Sequence, residues 1–417
     1  MRVLHVNNTD LPGSRFNGYS MLNKQHKLGI QVRQLVLDKY SSSQYVRSIK
    51  LPSDIHNLLS QLEKNCSVRC LYFPYIDKII ESPEFQKADI VHFHLLHNEM
   101  FSLFEFPKLF QFKKVVWTIH DPWILTGHCV HPLNCKKYLT GCGDCPDFHR
   151  PFTIDQDTTR VMWKIKDNAL KNTPVPLIVA SDWMKNLITS HPFGKYFPSI
   201  TTIPFGVDLS SFKPILQEEK AKLRNIEGIP NNFTIFFRED PSVYKGMEHL
   251  LDGLNLLSAN LEINIITVGA KGILNKGTYQ RFFVKEYGWI NSEMDIAKLY
   301  QMSDLFVMPS SAESFGVMAI ESLACGIPVL ARSGTAVAEI VRGGEVGQLF
   351  EDPLGIKQKI EELYFSPKMR ELLSKNSRNL AELEYSEDIY HHRLLELYDS
   401  ILRTNYRLNH QVNHVQK

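Results

Sequence analysis

The sequence predicts two doubly wound α/β domains, each built on a parallel β-sheet. Nine short apolar runs rich in Val and Ile alternate with helical patterns, for example RVLHV at residues 2–6 and FTIFFR at residues 233–238. Runs of this kind are typical of parallel strands that helices cover on both faces. The 417 residues suffice for two or three domains, and we expect two.

The domain boundary is predicted where a strand runs into Pro204 and Gly206, in TTIPFGVDLSSFKP. Proline and glycine at this density interrupt regular structure. We therefore expect a first domain over residues 1–205 and a second over residues 206–385. Apolar residues at helical spacing predict a closing helix within 386–417, which we expect to pack on the first domain.

The charge balance argues against a nucleic-acid partner, because 47 Lys and Arg face 45 Asp and Glu. The start MRVLHVNN lacks the basic and long apolar regions of an export signal, and no window approaches the ~18 apolar residues of a membrane helix. We expect a cytoplasmic protein, either free or in peripheral contact with the cytoplasmic face of the membrane.

A strand, a polar loop and a helix are predicted within DLFVMPSSAESFGVMAIESLACGIPVLA, residues 304–331. The helix would begin at Phe315-Gly316, at the carboxyl edge of the sheet. Free backbone N–H groups and the helix dipole favour an anion at such a place, and glycine lets a diphosphate approach the backbone. Glu313 and Glu321 flank the helix start, where a solvated helix face is the alternative to a site for sugar and ribose hydroxyls.

ESFGVMAIE resembles the E-x7-E signature of the retaining nucleotide-sugar glycosyltransferases of family GT4, which have the GT-B fold of two Rossmann-like domains facing a central cleft. IPFGVDLSSFKP and CGIPVLARSGTAVAEIVRGGEVGQLFE resemble further segments of that family. The resemblance implies that Glu313 contacts the donor sugar and Glu321 the ribose. It assigns the diphosphate to the amides of Phe315, Gly316 and Val317.

The same resemblance places the nucleotide base near Trp289 and Ile290. The resemblance also implies which residues offset the charge of the leaving diphosphate. Family members use an Arg and Lys pair, which would be Arg238 and Lys245 in FFREDPSVYKG. Phe237 stands where the family has glycine. For Arg238, a strand-end ion pair with Glu239 or Asp240 is therefore the alternative.

Histidines follow two predicted strands of the first domain. His120 in VVWTIHDPW resembles the family's donor-sugar contact, and His94 and His97 in VHFHLLH are candidates for the acceptor side. His92 and His94 alternate onto one face, so a metal pair is an alternative to polar core histidines. In LPGSRFNGYS, Gly18 resembles a phosphate-facing loop residue, with an ordinary turn as the alternative, and Arg15 is a candidate for binding an acidic acceptor or a phosphate.

Four cysteines lie within the insertion 127–146, GHCVHPLNCKKYLTGCGDCP, at the spacing C-x5-C-x6-C-x2-C. A structural zinc on four thiolates is one interpretation, while packed reduced thiols and a conditional disulfide are the others. The insertion resembles one in transferases of the colanic-acid exopolysaccharide type. A site with four protein ligands has no open position for catalysis. The four cysteines are Cys129, Cys135, Cys142 and Cys145.

The function that we predict is metal-independent, retaining transfer of a hexose from a UDP- or GDP-sugar to a glycan or lipid-linked glycan. No catalytic cofactor is expected. The residues reveal no dedicated carboxylate nucleophile, and the resemblance favours attack on the face that the diphosphate leaves. A nucleotide-sugar epimerase and a zinc-dependent binding module are the alternatives.

Overall fold

The computed structural model describes residues 1–404 except 12, 16, 150, 151, 275 and 276. Its contacts divide the chain into two compact units. Unit 1 contains Met1–Val179, Lys185–Ile203 and the residues from His391 onward, whereas unit 2 contains Ala180–Met184 and Pro204–Tyr390. The predicted closing helix is α14, Glu387–Arg403, and the rest of its predicted range, 405–417, lies outside the described residues.

Unit 1 is built on a seven-stranded parallel sheet with the strand order β3-β2-β1-β4-β5-β6-β7. The order reverses between β1 and β4, which is the switch point of a doubly wound fold. Its strands are β1 Arg2–Val6, β2 Gln31–Val36, β3 Val46–Ser48, β4 Ile90–Phe93, β5 Lys114–Thr118, β6 Leu177–Val179 and β7 Ile200–Thr202. The helices before β7 are α1 Tyr19–Lys27, α2 Ser53–Asn65, α3 Tyr75–Glu81, α4 Pro83–Lys87, α5 Thr159–Lys171 and α6 Asp182–Thr189, and the first residues of α6 belong to unit 2.

Unit 2 repeats the arrangement with six parallel strands in the order β10-β9-β8-β11-β12-β13. Here the switch point lies between β8 and β11. The strands are β8 Phe233–Glu239, β9 Ile263–Gly269, β10 Phe283–Glu286, β11 Leu305–Met308, β12 Val329–Arg332 and β13 Gly347–Phe350. The helices are α7 Gln217–Ile226, α8 Met247–Leu256, α9 Glu293–Gln301, α10 Val317–Ala324, α11 Val337–Val341, α12 Pro353–Phe365 and α13 Pro367–Glu384.

The central strands of both sheets are buried on both faces. In β8, Phe233, Ile235 and Phe237 join the core that α8 and α12 cover, while Phe236 packs against Tyr300 and Phe306 on the other face. This double burial explains the continuous apolar runs of the sequence. The prediction of two doubly wound α/β domains is confirmed.

The second part of α14 packs on unit 1. Leu394 and Tyr398 are fully buried, and the Tyr398 hydroxyl lies 2.6 Å from Nδ1 of His92 in β4. Lys114 Nζ donates to the carbonyl oxygens of Ile401 and Leu402, at 2.8 and 3.1 Å. A cation at a helix C-terminus satisfies free carbonyls and the helix dipole together. Among the described helices, none is long and apolar enough to cross a bilayer.

Candidate functional site

The candidate site of unit 2 lies at the carboxyl edge of its sheet, where the loops after β8 and β11 meet. The amides of Ser311 and Ala312 donate to the carbonyl oxygen of Tyr244, at 2.9 and 3.1 Å. Gly246 follows with φ +63, and a Cβ atom there would lie 2.1 Å from the Pro309 carbonyl oxygen. Only glycine fits this position, so it fixes the two loops against each other.

These loops bring two predicted catalytic residues into contact. Nζ of Lys245 lies 2.6 Å from Oε1 of Glu313, with the side chains 29% and 15% exposed. The sequence assigned a cation and a sugar-binding carboxylate to these residues without placing them together. At partial exposure such a pair is still open to a ligand, because the second carboxylate oxygen and two ammonium protons remain for other partners.

Gly316 precedes α10 in a conformation that other residues avoid. Its φ is 116°, and a Cβ atom would lie 2.8 Å from Cγ2 of Val337. Among the described residues, the amides of Phe315, Gly316 and Val317 donate to no backbone or side-chain acceptor. The helix therefore begins with unused N–H groups, two residues after the Glu313 that pairs with Lys245, and such groups are suited to an anionic ligand.

Glu321 lies within α10 and is buried, with 2% of its surface exposed. The hydroxyl of Tyr300 in α9 donates to Oε2 of Glu321 at 3.0 Å, and it also lies 3.0 Å from the Met318 carbonyl oxygen. Tyr300 thus holds the orientation of the carboxylate. The sequence gives no sign of this positioning residue, because Tyr300 lies outside the quoted strand, loop and helix segment, 21 positions before Glu321.

Arg238 at the end of β8 makes the ion pair expected by the alternative interpretation. Its Nη2 lies 2.9 Å from Oδ2 of Asp240. The guanidinium carbon also lies 5.2 Å from the ring centre of Trp289, whose side chain is largely exposed at 66%. Ile290 is half-buried beside it. Arg238 thus adjoins the predicted base-binding residues, while Lys245 is the cation paired with Glu313.

A further cation lies near the loop after β11. Arg332 ends β12, the neighbouring strand, and its Nη1 donates to Oγ of Ser311 at 2.8 Å. Parallel strands end at one edge, so a basic residue that closes β12 could have been predicted there. The sequence analysis assigned it no role.

The candidate site of unit 1 begins at the end of β5. His120 is half-buried, and burial lowers its pKa to about 3, with His97 adding to the effect. Nε2 of His97 lies 3.2 Å from Oδ2 of Asp121, and the His97 ring stacks on Trp123 at 5.2 Å. His120 is therefore a neutral hydrogen-bonding group at neutral pH.

Three buried histidines lie side by side on β1 and β4. Nδ1 of His5 is 3.0 Å from Nε2 of His94, and their ring nitrogens lie within 4.8 Å of a nitrogen of His92. The pair predicted from β4 thus gains a third potential metal ligand from β1. Nε2 of His5 is 3.0 Å from Oε1 of Gln25, and Nε2 of His92 is 2.6 Å from Oγ1 of Thr118. These contacts favour the alternative of hydrogen-bonded core histidines.

The loop before α1 packs tightly on this histidine cluster. Gly18 has a φ of 93°, and a Cβ atom there would lie 2.9 Å from Nε2 of His94 and 3.0 Å from Cβ of His5. The packing of this loop on the histidines thus requires glycine at position 18, apart from its predicted role in facing the phosphates of the nucleotide sugar. Arg15 lies in the same loop and is half-buried. The ring centres of His94 and His120 are 5.9 Å apart.

A buried lysine supports the segment that follows His120. Lys166 in α5 donates to the carbonyl oxygens of Trp123 and Thr126, at 2.6 and 2.8 Å, and its Nζ lies 3.5 Å from the Trp123 ring centre. Burial lowers the pKa of Lys166 to about 7. The sequence analysis gave this residue no role, because one Lys within a helical pattern carries no signal of burial.

The cysteine-rich insertion continues from this segment. Cys142 Sγ accepts from the Gly127 amide at 3.2 Å, and Cys145 Sγ lies 3.5 Å from Nε2 of His128. Burial raises the pKa of the Cys142 thiol to about 11, and the nearby Cys129 and Cys135 add to it. Within the described part of the chain, the three-ligand group with ligand atoms inside 4.8 Å is the histidine cluster and not a cysteine set. The zinc site stays a prediction.

Comparison with known proteins identifies the second unit. Residues 219–380 match the family model of glycosyl transferases group 1. The chain is 27% identical over 248 residues to spore coat protein SA of Bacillus subtilis, covering 54% of this chain and 64% of that protein. It is 24% identical over 239 residues to the capsular polysaccharide biosynthesis glycosyltransferase CapM of Staphylococcus aureus, covering 54% and 62%. The matches thus span less than two thirds of these relatives.

The fold is shared by solved glycosyltransferases over nearly the whole chain. HepE of Anabaena, in complex with UDP and glucose, superposes with a TM-score of 0.65 at 18% identity, covering 96% of this chain and 100% of that one. At this identity the likeness concerns the fold. The chain therefore has the GT-B fold, and its residues 219–380 match the glycosyl transferases group 1 domain.

Proposed function

We propose that this protein is a retaining glycosyltransferase of polysaccharide biosynthesis. It moves a hexose from a UDP- or GDP-sugar to a glycan or lipid-linked glycan at the cytoplasmic side of the membrane. The observation that carries the proposal is the contact of Lys245 with Glu313, 2.6 Å apart, on the loop that leads to the unused amides at the start of α10. The group 1 domain supports it, as does the similarity to CapM, a glycosyltransferase of capsular polysaccharide biosynthesis. Neither alternative function is favoured by these findings.

The diphosphate of the donor would bind the amides of Phe315, Gly316 and Val317, with Lys245 offsetting its charge. Glu313 would then accept from a hydroxyl of the sugar, and Glu321, held by Tyr300, from the ribose. With the donor bound in this way, the ammonium group would lie where charge develops on the leaving oxygen. Lys245 would thereby supply the charge that a divalent ion supplies in metal-dependent transferases. In unit 1, neutral His120 would hydrogen-bond to the donor sugar.

In the transfer step, the bond from the anomeric carbon to the diphosphate oxygen breaks, and its electron pair stays on the diphosphate. The acceptor hydroxyl oxygen forms the new bond on the same face. Its proton passes to the departing diphosphate oxygen. This course requires no carboxylate nucleophile, in keeping with the failure to assign one from the sequence.

Titration with UDP-glucose and GDP-mannose by calorimetry tests donor binding, with and without EDTA. We expect one donor to bind without a metal, and Lys245→Met to lower the rate of donor turnover ~10²- to 10³-fold, as for loss of one charge-stabilising group. Lys298→Met is the matched control, because Lys298 pairs with Asp295 at an exposed site of the same unit. If no nucleotide sugar binds, or if both variants behave alike, the proposal fails.

A further inference from the structure

Unit 1 contains a pocket of about 250 Å³ that none of the predicted site residues lines. It lies between the end of α2, the loop after β4, the start of the cysteine-rich insertion and the segment 152–154. Small-molecule pockets usually measure ~300–1,000 Å³, so this pocket suits a ligand of about one ring. Its polar lining includes Arg69, Glu99, Ser60 and His128.

The side-chain donors of Arg69 in this pocket bond to no group among the described residues. Its guanidinium carbon lies 3.6 Å from the ring centre of Phe152, so the plane of the group is held by stacking. Within the described residues it forms no hydrogen bond and no ion pair. A guanidinium group carries five N–H donors, and in this half-buried side chain they are available to a ligand.

Two carboxylates face the same pocket and differ in their remaining capacity. Glu63 accepts from the amides of Cys70, Leu71 and Tyr72, at 2.8, 2.6 and 3.0 Å. Glu99 accepts from Oγ of Ser60 at 2.6 Å, and its other oxygen lies 3.0 Å from Nε2 of His56. Since each carboxylate oxygen can accept two bonds, Glu99 retains room for a donor from a ligand.

The backbone around the pocket is held in an unusual conformation. Ser67, Glu99 and Phe152 have φ values of 52°, 60° and 72°, which residues other than glycine seldom adopt. Oγ of Ser67 accepts from the amides of Asp155 and Gln156, both at 3.0 Å, and the Thr158 hydroxyl donates to its carbonyl oxygen. The pocket is therefore built by loops that are tied together, and such conformations concentrate at binding sites.

The charges of the pocket select the class of ligand. Among the described residues, the lining holds two carboxylates, Glu63 and Glu99, against two basic side chains, Arg69 and Lys64. Their charges cancel, so an anion gains little and would lie close to two negative groups. A neutral ligand that both accepts and donates hydrogen bonds satisfies Arg69 and Glu99 together. Sugar hydroxyls have this property.

We propose that the pocket binds a single neutral sugar ring of the acceptor glycan, with Arg69 donating to its oxygens and Glu99 accepting from a hydroxyl. That the sugar belongs to the acceptor rests on the proposed function, whereas sugar binding itself does not. The pocket is a binding subsite, and neither residue is assigned a part in the bond-forming step.

Saturation-transfer NMR with the methyl glycosides of glucose, galactose, mannose and fucose tests this proposal on the full chain. We expect at least one glycoside to bind, and Arg69→Met and Glu99→Gln each to weaken its affinity about tenfold. Arg33→Met is the matched control, because Arg33 also stacks on an aromatic ring, that of Tyr45 at 5.1 Å, but lies outside the pocket.

Binding to no glycoside overturns the proposal, as does equal binding by wild type and a folded Arg69→Met. If Arg69→Met shows no thermal unfolding transition, and so is not folded, glycoside binding by Glu99→Gln is compared with wild type instead. Displacement of the glycoside by inorganic phosphate would instead identify an anion site and refute a neutral ligand. The same samples are titrated with UDP-glucose and GDP-mannose. If a glycoside binds but neither nucleotide sugar does, the proposed transferase function is refuted and the proposed sugar pocket is supported.

Discussion

Replacement of Gly316 by alanine tests how the start of α10 is built. Two costs follow from the structure. Alanine at a φ of 116° costs ~1–3 kcal/mol, and its Cβ atom, 2.8 Å from Cγ2 of Val337, adds ~1–3 kcal/mol of overpacking. We expect Gly316→Ala to lower the free energy of unfolding of unit 2 by about 3 kcal/mol. Displacement of the amides at 315–317 should also weaken UDP binding at least tenfold.

Urea denaturation followed by calorimetric titration with UDP measures both effects. Gly228→Ala is the control for backbone conformation, because Gly228 has φ +66 and a Cβ atom there would meet no other heavy atom within 4 Å. It should cost about 1 kcal/mol and leave UDP binding unchanged. Adding Val337→Ala to Gly316→Ala should recover ~1–2 kcal/mol relative to the sum of the single changes. The reasoning is refuted if Gly316→Ala costs no more than Gly228→Ala and binds UDP normally.

Three further outcomes are expected. Tyr300→Phe removes a 3.0 Å hydrogen bond to Glu321, so calorimetry should show donor affinity about fivefold weaker, and an unchanged affinity would contradict the positioning role. Burial holds the pKa of His5 at about 4, below the ordinary 6.5, so its contribution to stability is complete above pH 6.5 and is lost as the pH falls toward 4. Between pH 7 and pH 5 the free energy of unfolding, measured by urea denaturation, should therefore fall by ~2 kcal/mol because of His5. His5→Gln should remove this part of the pH dependence, whereas His392→Gln, at an exposed site, should not. Elemental analysis should find about one zinc per chain that Cys142→Ser releases without loss of donor binding, and a metal-free wild type with normal stability would refute the zinc interpretation.

The sequence was sufficient to predict the central strands and insufficient to predict three of the four edge strands. Each of the nine apolar runs lies on a strand, because central parallel strands bury both faces. The strands β3, β10 and β13 were missed, and all three lie at sheet edges, where partial exposure breaks the apolar run. Edge strands carry little of the pattern on which such predictions depend.

For the site, local sequence predicted the residue types but not their partners. Glu313 and Lys245 were chosen separately, and their contact arises from loops 68 positions apart that meet at a switch point. Tyr300 and Lys166 were missed, since each acts through a residue on another element. Arg69 was missed for the same reason, because an Arg in a short loop gives no sign that Phe152 will stack on it.

The contact of His92 with Tyr398 joins residues 306 positions apart, and all of unit 2 is synthesised between them. During synthesis on the ribosome, β4 therefore lacks its contact with α14 until the group 1 domain has been made. At ~5–20 residues per second, that interval lasts ~15–60 seconds, during which the polar histidines of the first sheet lack the Tyr398 hydroxyl. The packing of Tyr398 in unit 1 can therefore form only after unit 2 has been synthesised.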